Sequence, residues 1–209
     1  MNERQRQRLE TKRGEVELLS YVKPQELGQW ELDPGIGVFS SYRSLLTTKD
    51  SLLTQAQDPQ GNLCLALHQG KTIVGFAVRR PAPPDERWAQ LDPPVMFEVF
   101  GENARGWRDL GLMKPLLKSV CMEPVNDQRI LYIVGYSWHW DLDETKKTVT
   151  QYRDTIIHLL TPFGFRQYPT NEPNVGLRPE NLFMARLGPE IDKTVKKRFT
   201  NLLFGIRED

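Results

Sequence analysis

Hydrophobic and polar positions along this chain follow two periods. The stretch EVELLSYV (15–22) alternates in part and predicts a strand. In YRSLLTTKDSLLTQAQ (42–57), Leu45, Leu46, Leu52 and Leu53 recur at helical spacing. NLCLALHQ and KTIVGFAVRR then predict a strand pair, with Gln69-Gly70 as its tight connection. After the proline-rich stretch RPAPPDERW (80–88), PVMFEVF (94–100) predicts another strand. A segment with two glycines and two arginines follows, and then a helix starting near Leu112. That start puts Pro115 in the first turn, where its missing N–H costs nothing.

Further on, RILYIVGYSWHW (129–140) predicts a long apolar strand. In ETKKTVTQYRDTIIHLL (144–160), Val149, Tyr152, Ile156 and Leu159 share one helical face. FRQYP and NLFMARLG predict two late strands. IDKTVKKRFTNLLFGI (191–206) carries an apolar helical stripe of Ile191, Val195, Phe199, Leu202 and Leu203. The expected fold is mixed α/β, with an antiparallel early pair and one parallel crossover after residue 94. The expected organisation is a flexible polar tail over 1–14, one domain over 15–190 and a helical tail over 191–209.

Composition narrows the function classes. The chain has 209 residues, 39% hydrophobic and 26% charged, with a net charge of +1. No bulk basic field advertises nucleic acid. Cys64 and Cys121 lie far apart with no C-x-x-C spacing, so neither a disulfide framework nor a zinc site is expected. His68 and His158 have no neighbouring acidic pair in the chain, and no metal site is read. No apolar run reaches 18 residues, so a cytoplasmic protein is expected.

The segment RGWRDLGLMKPLLK (105–118) sits between a strand and a helix start, where free N–H groups and the helix dipole favour an anion. It lacks the lysine–hydroxyl pair of a P-loop, and Gly106 and Gly111 are wrongly spaced for a dinucleotide fingerprint. Two readings remain: a diphosphate cradle of backbone N–H groups with an arginine at its edge, or an ordinary strand–helix turn.

Arg108-Asp109-Leu110-Gly111-Leu112, in this context, resembles the acetyl-CoA pyrophosphate turn of the GNAT acetyltransferases, and Gly164-Phe165 resembles the Gly-Phe after that family's last long helix. TIVGFAV (72–78), ERW (86–88), WRDLGLMKPLLK (107–118), WHWDL (138–142), QYR (151–153) and FMARLG (183–188) are similar, in the same order, to stretches of the family's acetoin-utilisation branch. The resemblance implies a GNAT fold: a central mixed, mostly antiparallel twisted sheet flanked by helices. It implies acetyl-CoA as donor, held by Phe100, Arg108, Asp109, Leu110, Gly111, Leu112 and Met113. As acceptor it implies a protein lysine, that of acetyl-CoA synthetase. Two positions depart from the family pattern. Met113 stands where a Gly or Ala is usual, and Leu160 stands where many members carry a tyrosine as acid to the leaving thiolate.

Acetyl transfer needs a neutral amine, whereas a free lysine has a pKa of ~10.4. A base must therefore take a proton, and N–H donors stabilise charge developing on the thioester oxygen. Glu98, which interrupts VMFEVF, is the first candidate base, and burial there would raise its pKa. His139 is the second candidate, as base or acid. Strand alternation would place it with Asp141 on one face, with Trp138 and Trp140 on the other. Tyr136 and Tyr152 are the alternatives for the missing acid. Trp88 is a packing residue or a channel cap. Lys193, Lys196, Lys197 and Arg198 give the last helix a basic face, either simply solvated or suited to an acidic partner or an anionic membrane surface. The rival to an enzyme is a GNAT-like binding or assembly subunit; a small-amine acetyltransferase is the rival among enzymes.

Overall fold

The computed structural model describes residues 4–38 and 48–206. The chain forms two compact units, Met1–Arg80 with Val99–Met122 and Pro81–Glu98 with Glu123–Asp209. The division falls inside two strands, before Pro81 and after Glu98, so each unit takes part of both.

The first unit holds β1 (Arg6–Thr11), β2 (Gly14–Leu19), β3 (Glu31–Leu32), α1 (Lys49–Gln57), β4 (Asn62–His68) and β5 (Thr72–Pro81, all but its last residue). It also holds the second part of β6 (Met96–Asn103), and α2 (Met113–Cys121). β1 pairs β2, β2 pairs β4 and β4 pairs β5, all antiparallel, while short β3 runs parallel to β5. The expected polar tail is thus a strand from Arg6 onward. Its exposed side chains conceal the signal, because an edge strand needs backbone pairing and not an apolar face. β4 is buried along almost its whole length and so reads as continuous rather than alternating. The hairpin to β5 turns on Gln69 and Gly70, both at positive φ, as the sequence anticipates. Gly101 lets β6 lie against β5, since a Cβ there would meet the Phe76 carbonyl at 2.6 Å. α1 and α2 both pack against β4. The start of the expected helix at 42–57, with Leu45 and Leu46, lies outside the described residues.

The second unit holds the start of β6, β7 (Ile130–Gly135), α3 (Leu142–Thr145), α4 (Val149–Leu160), β8 (Arg166–Gln167), α5 (Pro173–Gly176), β9 (Leu182–Leu187) and α6 (Lys193–Leu203). β6 and β7 are parallel over Met96–Glu98 and Ile130–Tyr132, the parallel pair expected from the sequence. β9 is antiparallel to both β7 and β8. Each unit is therefore mixed α/β and mostly antiparallel. Trp88, Met96, Ile130, Tyr132, Phe183, Val195, Phe199 and Leu203 build the core here. Trp88 is a core residue, stacked on Phe183 at 4.2 Å, and the apolar stripe of α6 is covered by the same cluster.

Three expectations are corrected in this unit. The strand over 129–140 ends at Gly135, and Ser137–His139 form a 3-10 turn. Period-two facing therefore does not apply to the WHWD segment. The expected helix over 144–160 is two helices, broken at Lys146 (φ 51°), with Thr148 capping the second. The late FRQYP strand shrinks to two residues.

Candidate active site

In the first unit the site residues lie around the start of α2. Arg105–Trp107 form a 3-10 turn, tied down by Arg105 N–H donating to the Gly35 carbonyl (3.1 Å) and Trp107 Nε1 donating to Asp33 Oδ2 (3.2 Å). Gly35 is required there, since a Cβ would lie 2.9 Å from the Arg105 nitrogen. Asp109 (φ 57°) and Gly111 (φ 79°) are both left-handed, and Leu112 returns to right-handed helical angles. Such alternation turns successive N–H groups to one side and makes a concavity for anions. A Cβ on Gly111 would meet nothing within 4 Å, so the glycine serves the backbone angle and leaves the concavity open.

α2 begins without a side-chain cap. Among the described helices of nine residues or more, the other three are capped, by Thr48, Thr148 and Asp192. The first N–H groups of any helix lack intrahelical acceptors. Here the cap residue, buried Leu112, supplies none from its side chain. Leu116, Leu117 and Val120 bury the opposite face and hold the helix in place. Pro115 falls in the first turn, as expected. Met113, the departure from the family pattern, is the first helical residue and half-buried. Phe100 is half-buried on β6 beneath the Arg80 guanidinium, 5.1 Å from its ring.

One residue of this unit escaped the sequence reading. Arg79 is fully buried, with its guanidinium donating to the carbonyls of Val120 (3.3 Å) and Gln60 (3.4 Å) and to Tyr21 Oη (3.4 Å). Asn62 donates to the Ser119 carbonyl (3.2 Å), so the C-terminal carbonyls of α2 are bound to β4 and β5. A charged residue closing an apolar strand was the available signal.

In the second unit, Tyr136 stands among carboxylates. Burial is the main cause that pushes its phenol up to about 12, followed by the charges of Glu172, Glu86 and Glu98. A hydrogen bond from Asn174 partly opposes them. Its ring stacks on Trp138 at 4.8 Å, nearly coplanar, and meets His139 edge-on at 5.7 Å. Glu98 is half-buried beside Tyr132 of β7. Glu86 accepts from Tyr132 Oη (2.9 Å), and Glu172 accepts from the Val175 N–H (2.7 Å). Partial burial lowers the His139 pKa, which keeps its imidazole neutral near pH 7.

Glu98, Tyr136 and His139 are thus brought into one neighbourhood, together with Glu86 and Glu172, which the sequence reading missed because nothing local marks them. Two expected partners go elsewhere. Asp141 caps α3 by accepting from the Glu144 N–H (3.4 Å). Tyr152 stacks on Trp140 at 5.3 Å. Leu160, at the position of the usual acid, is buried and 1% exposed. Among the described residues no group of His, Cys, Asp and Glu could hold a metal ion, and no helix is long and apolar enough to cross a membrane.

No family model matches the chain. It is 28% identical over 197 residues to the acetoin utilization protein AcuA of Bacillus licheniformis, a match covering 94% of this chain and 92% of the relative. The crystal structure of an acetoin utilization protein from Exiguobacterium sibiricum superposes with a TM-score of 0.88 at 28% identity, covering 98% of this chain and 96% of that one. The GNAT domain of S. lividans PAT shares the fold, at a TM-score of 0.54 and 11% identity, over 86% of this chain and 95% of that one. The chain is thus similar over nearly its whole length to AcuA proteins and shares its fold with a GNAT domain.

Proposed function

We propose that this protein transfers the acetyl group of acetyl-CoA to the side-chain amine of a lysine on a protein partner, and that the partner is an acyl-CoA synthetase such as acetyl-CoA synthetase. The observation that carries the reading is the uncapped start of α2, entered through left-handed Asp109 and Gly111. That arrangement suits the CoA diphosphate, with N–H groups around Gly111, Leu112 and Met113 as donors and Arg108 at the edge. Phe100 offers its half-buried ring to the apolar part of the donor. Acetyl-CoA supplies an activated thioester carbonyl, open to attack by a neutral amine.

The remaining steps belong to the second unit. Glu86, Glu98 and Glu172 make a negative field that attracts an ammonium group. Glu98 then takes the amine proton, directly or through water, and His139, neutral at pH 7, is the alternative acceptor. Tyr136 keeps its proton throughout the physiological range and is the candidate donor to the departing thiolate, in place of the acid absent at Leu160. The basic α6 face is a candidate docking surface for an acidic partner. Its Arg198 is already held by Asp92, accepting through the carbonyl at 2.8 Å and the carboxylate at 3.5 Å.

The direct experiment incubates the protein with acetyl-CoA and a purified acyl-CoA synthetase and maps acetyl-lysine by mass spectrometry. One modified lysine with loss of synthetase activity supports the reading. An unmodified synthetase, alongside rapid acetylation of small amines, replaces the acceptor.

A further inference from the structure

The hairpin of β1 and β2 and the residues leading into it carry four arginines among the described residues, and they divide sharply. Arg4, Arg6 and Arg8 face Glu26 (2.6 Å), Glu17 (3.5 Å) and Glu15 (3.8 Å). Arg13 lies in the two-residue connection, between the paired residues Thr11 and Gly14, and its guanidinium faces no carboxylate among the described residues. It lies across the Trp107 ring, 5.6 Å from the centroid, and over Gly106, where a Cβ would come within 2.9 Å of its Nη1. Trp107 is itself fixed, by Asp33 on its indole N–H and by the His68 ring at 4.7 Å. Gly106 and Trp107 directly precede Arg108.

The fold therefore holds a second guanidinium beside the turn that leads into α2, on a rigid indole platform. A guanidinium stacked on an aromatic face keeps its edge N–H groups directed outward, in the fork that matches two phosphate oxygens. Among the described residues its guanidinium meets no carboxylate, unlike those of Arg4, Arg6 and Arg8. CoA carries more phosphate than one edge arginine and a helix start neutralise: a diphosphate and a 3′-phosphate on the ribose. We propose that Arg13 is a phosphate-binding residue for the nucleotide half of CoA, and that the N-terminal hairpin is thereby part of the donor site. The inference rests on the acetyl-CoA reading above.

The test is calorimetric titration of acetyl-CoA and 3′-dephospho-acetyl-CoA into the wild type, Arg13→Met and Arg13→Lys. Methionine keeps an apolar stem over Trp107 and removes the charge. Arg13→Met should weaken acetyl-CoA binding about tenfold, as loss of a charge-assisted contact does, with the ligand-free melting temperature unchanged. Arg13→Lys should recover part of the loss. A deficit that vanishes with the dephospho ligand places Arg13 on the 3′-phosphate, and one that persists places it on the diphosphate. Wild-type affinity in Arg13→Met overturns the inference while leaving the acetyl-CoA reading intact. A wild type that binds no acetyl-CoA overturns both.

Discussion

The guanidinium of Arg79 donates to the Val120 carbonyl across 3.3 Å, at the last turn of α2. A fully buried cation is tolerable only when paired or well hydrogen-bonded. Here carbonyls, including one at the negative end of the helix dipole, take that role. The contact fixes one end of the helix whose other end faces the proposed diphosphate.

Arg79→Met should therefore destabilise the protein. Methionine fills similar volume but leaves the Val120 and Gln60 carbonyls without this donor. An orphaned buried polar group costs about 1–3 kcal/mol, so a loss of roughly 2–4 kcal/mol is expected in urea unfolding. A change below ~0.5 kcal/mol would show that water replaces the guanidinium.

Arg108→Ala should act on the ligand and spare the fold. Hydrogen bonds to charged groups are worth about 1.5–3 kcal/mol, so acetyl-CoA affinity should fall about tenfold or more. Titration calorimetry measures this, and thermal melting without ligand should be unchanged. Unaltered affinity assigns the diphosphate to another surface.

Phe199→Ala tests whether α6 is core or appendage. Phe199 is 1% exposed and meets Tyr168 edge-on at 5.3 Å. Truncating a buried phenylalanine costs about 3–5 kcal/mol. Loss of cooperative unfolding at a much lower temperature is the expected result. A mild effect would mark the helix as an independently docked tail.

Much of this was readable in the residues. Gly111, Pro115 and the apolar run after them announce a helix start because backbone angle and missing N–H act locally. The Gln69-Gly70 hairpin is legible for the same reason. β1 was not, because its pairing with β2 lies in the backbone and its side chains face water. The WHWD segment misled, since tryptophans suit strands and turns alike and only the contacts to Tyr136 and Tyr152 decide. Glu86 and Glu172 come to Tyr136 from segments more than 80 residues apart, and no local pattern encodes that meeting.

The Tyr136 phenol gives a prediction in pH. An unfolded tyrosine titrates near ~10, and the folded one at about 12. The native state holds this proton more tightly, so its contribution to stability is complete below the unfolded value and is lost as pH rises through the folded one. Tyr136→Phe removes the titration. Denaturation measured from about pH 9 upward should show a shallower alkaline decline in the variant than in the wild type. Parallel declines would mean that the phenol is not held above its ordinary value. In turnover, Tyr136→Phe should slow the release of thiolate if the phenol is its donor, with acetyl-CoA affinity kept.

Glu98→Gln separates an enzyme from a binding module. Glutamine preserves shape on β6 but cannot accept a proton from the acceptor amine. A general base contributes typically ~10²–10⁴-fold, so turnover should drop by about that factor while acetyl-CoA affinity stays nearly constant. Raising the pH should restore part of the rate, because more lysine becomes neutral in solution as its own pKa of ~10.4 is approached. Full activity in Glu98→Gln with loss in His139→Gln moves the base to the imidazole. If the wild type binds acetyl-CoA yet acetylates neither a synthetase nor any lysine in a broad protein mixture, the catalytic reading fails and the fold serves here as a binding subunit.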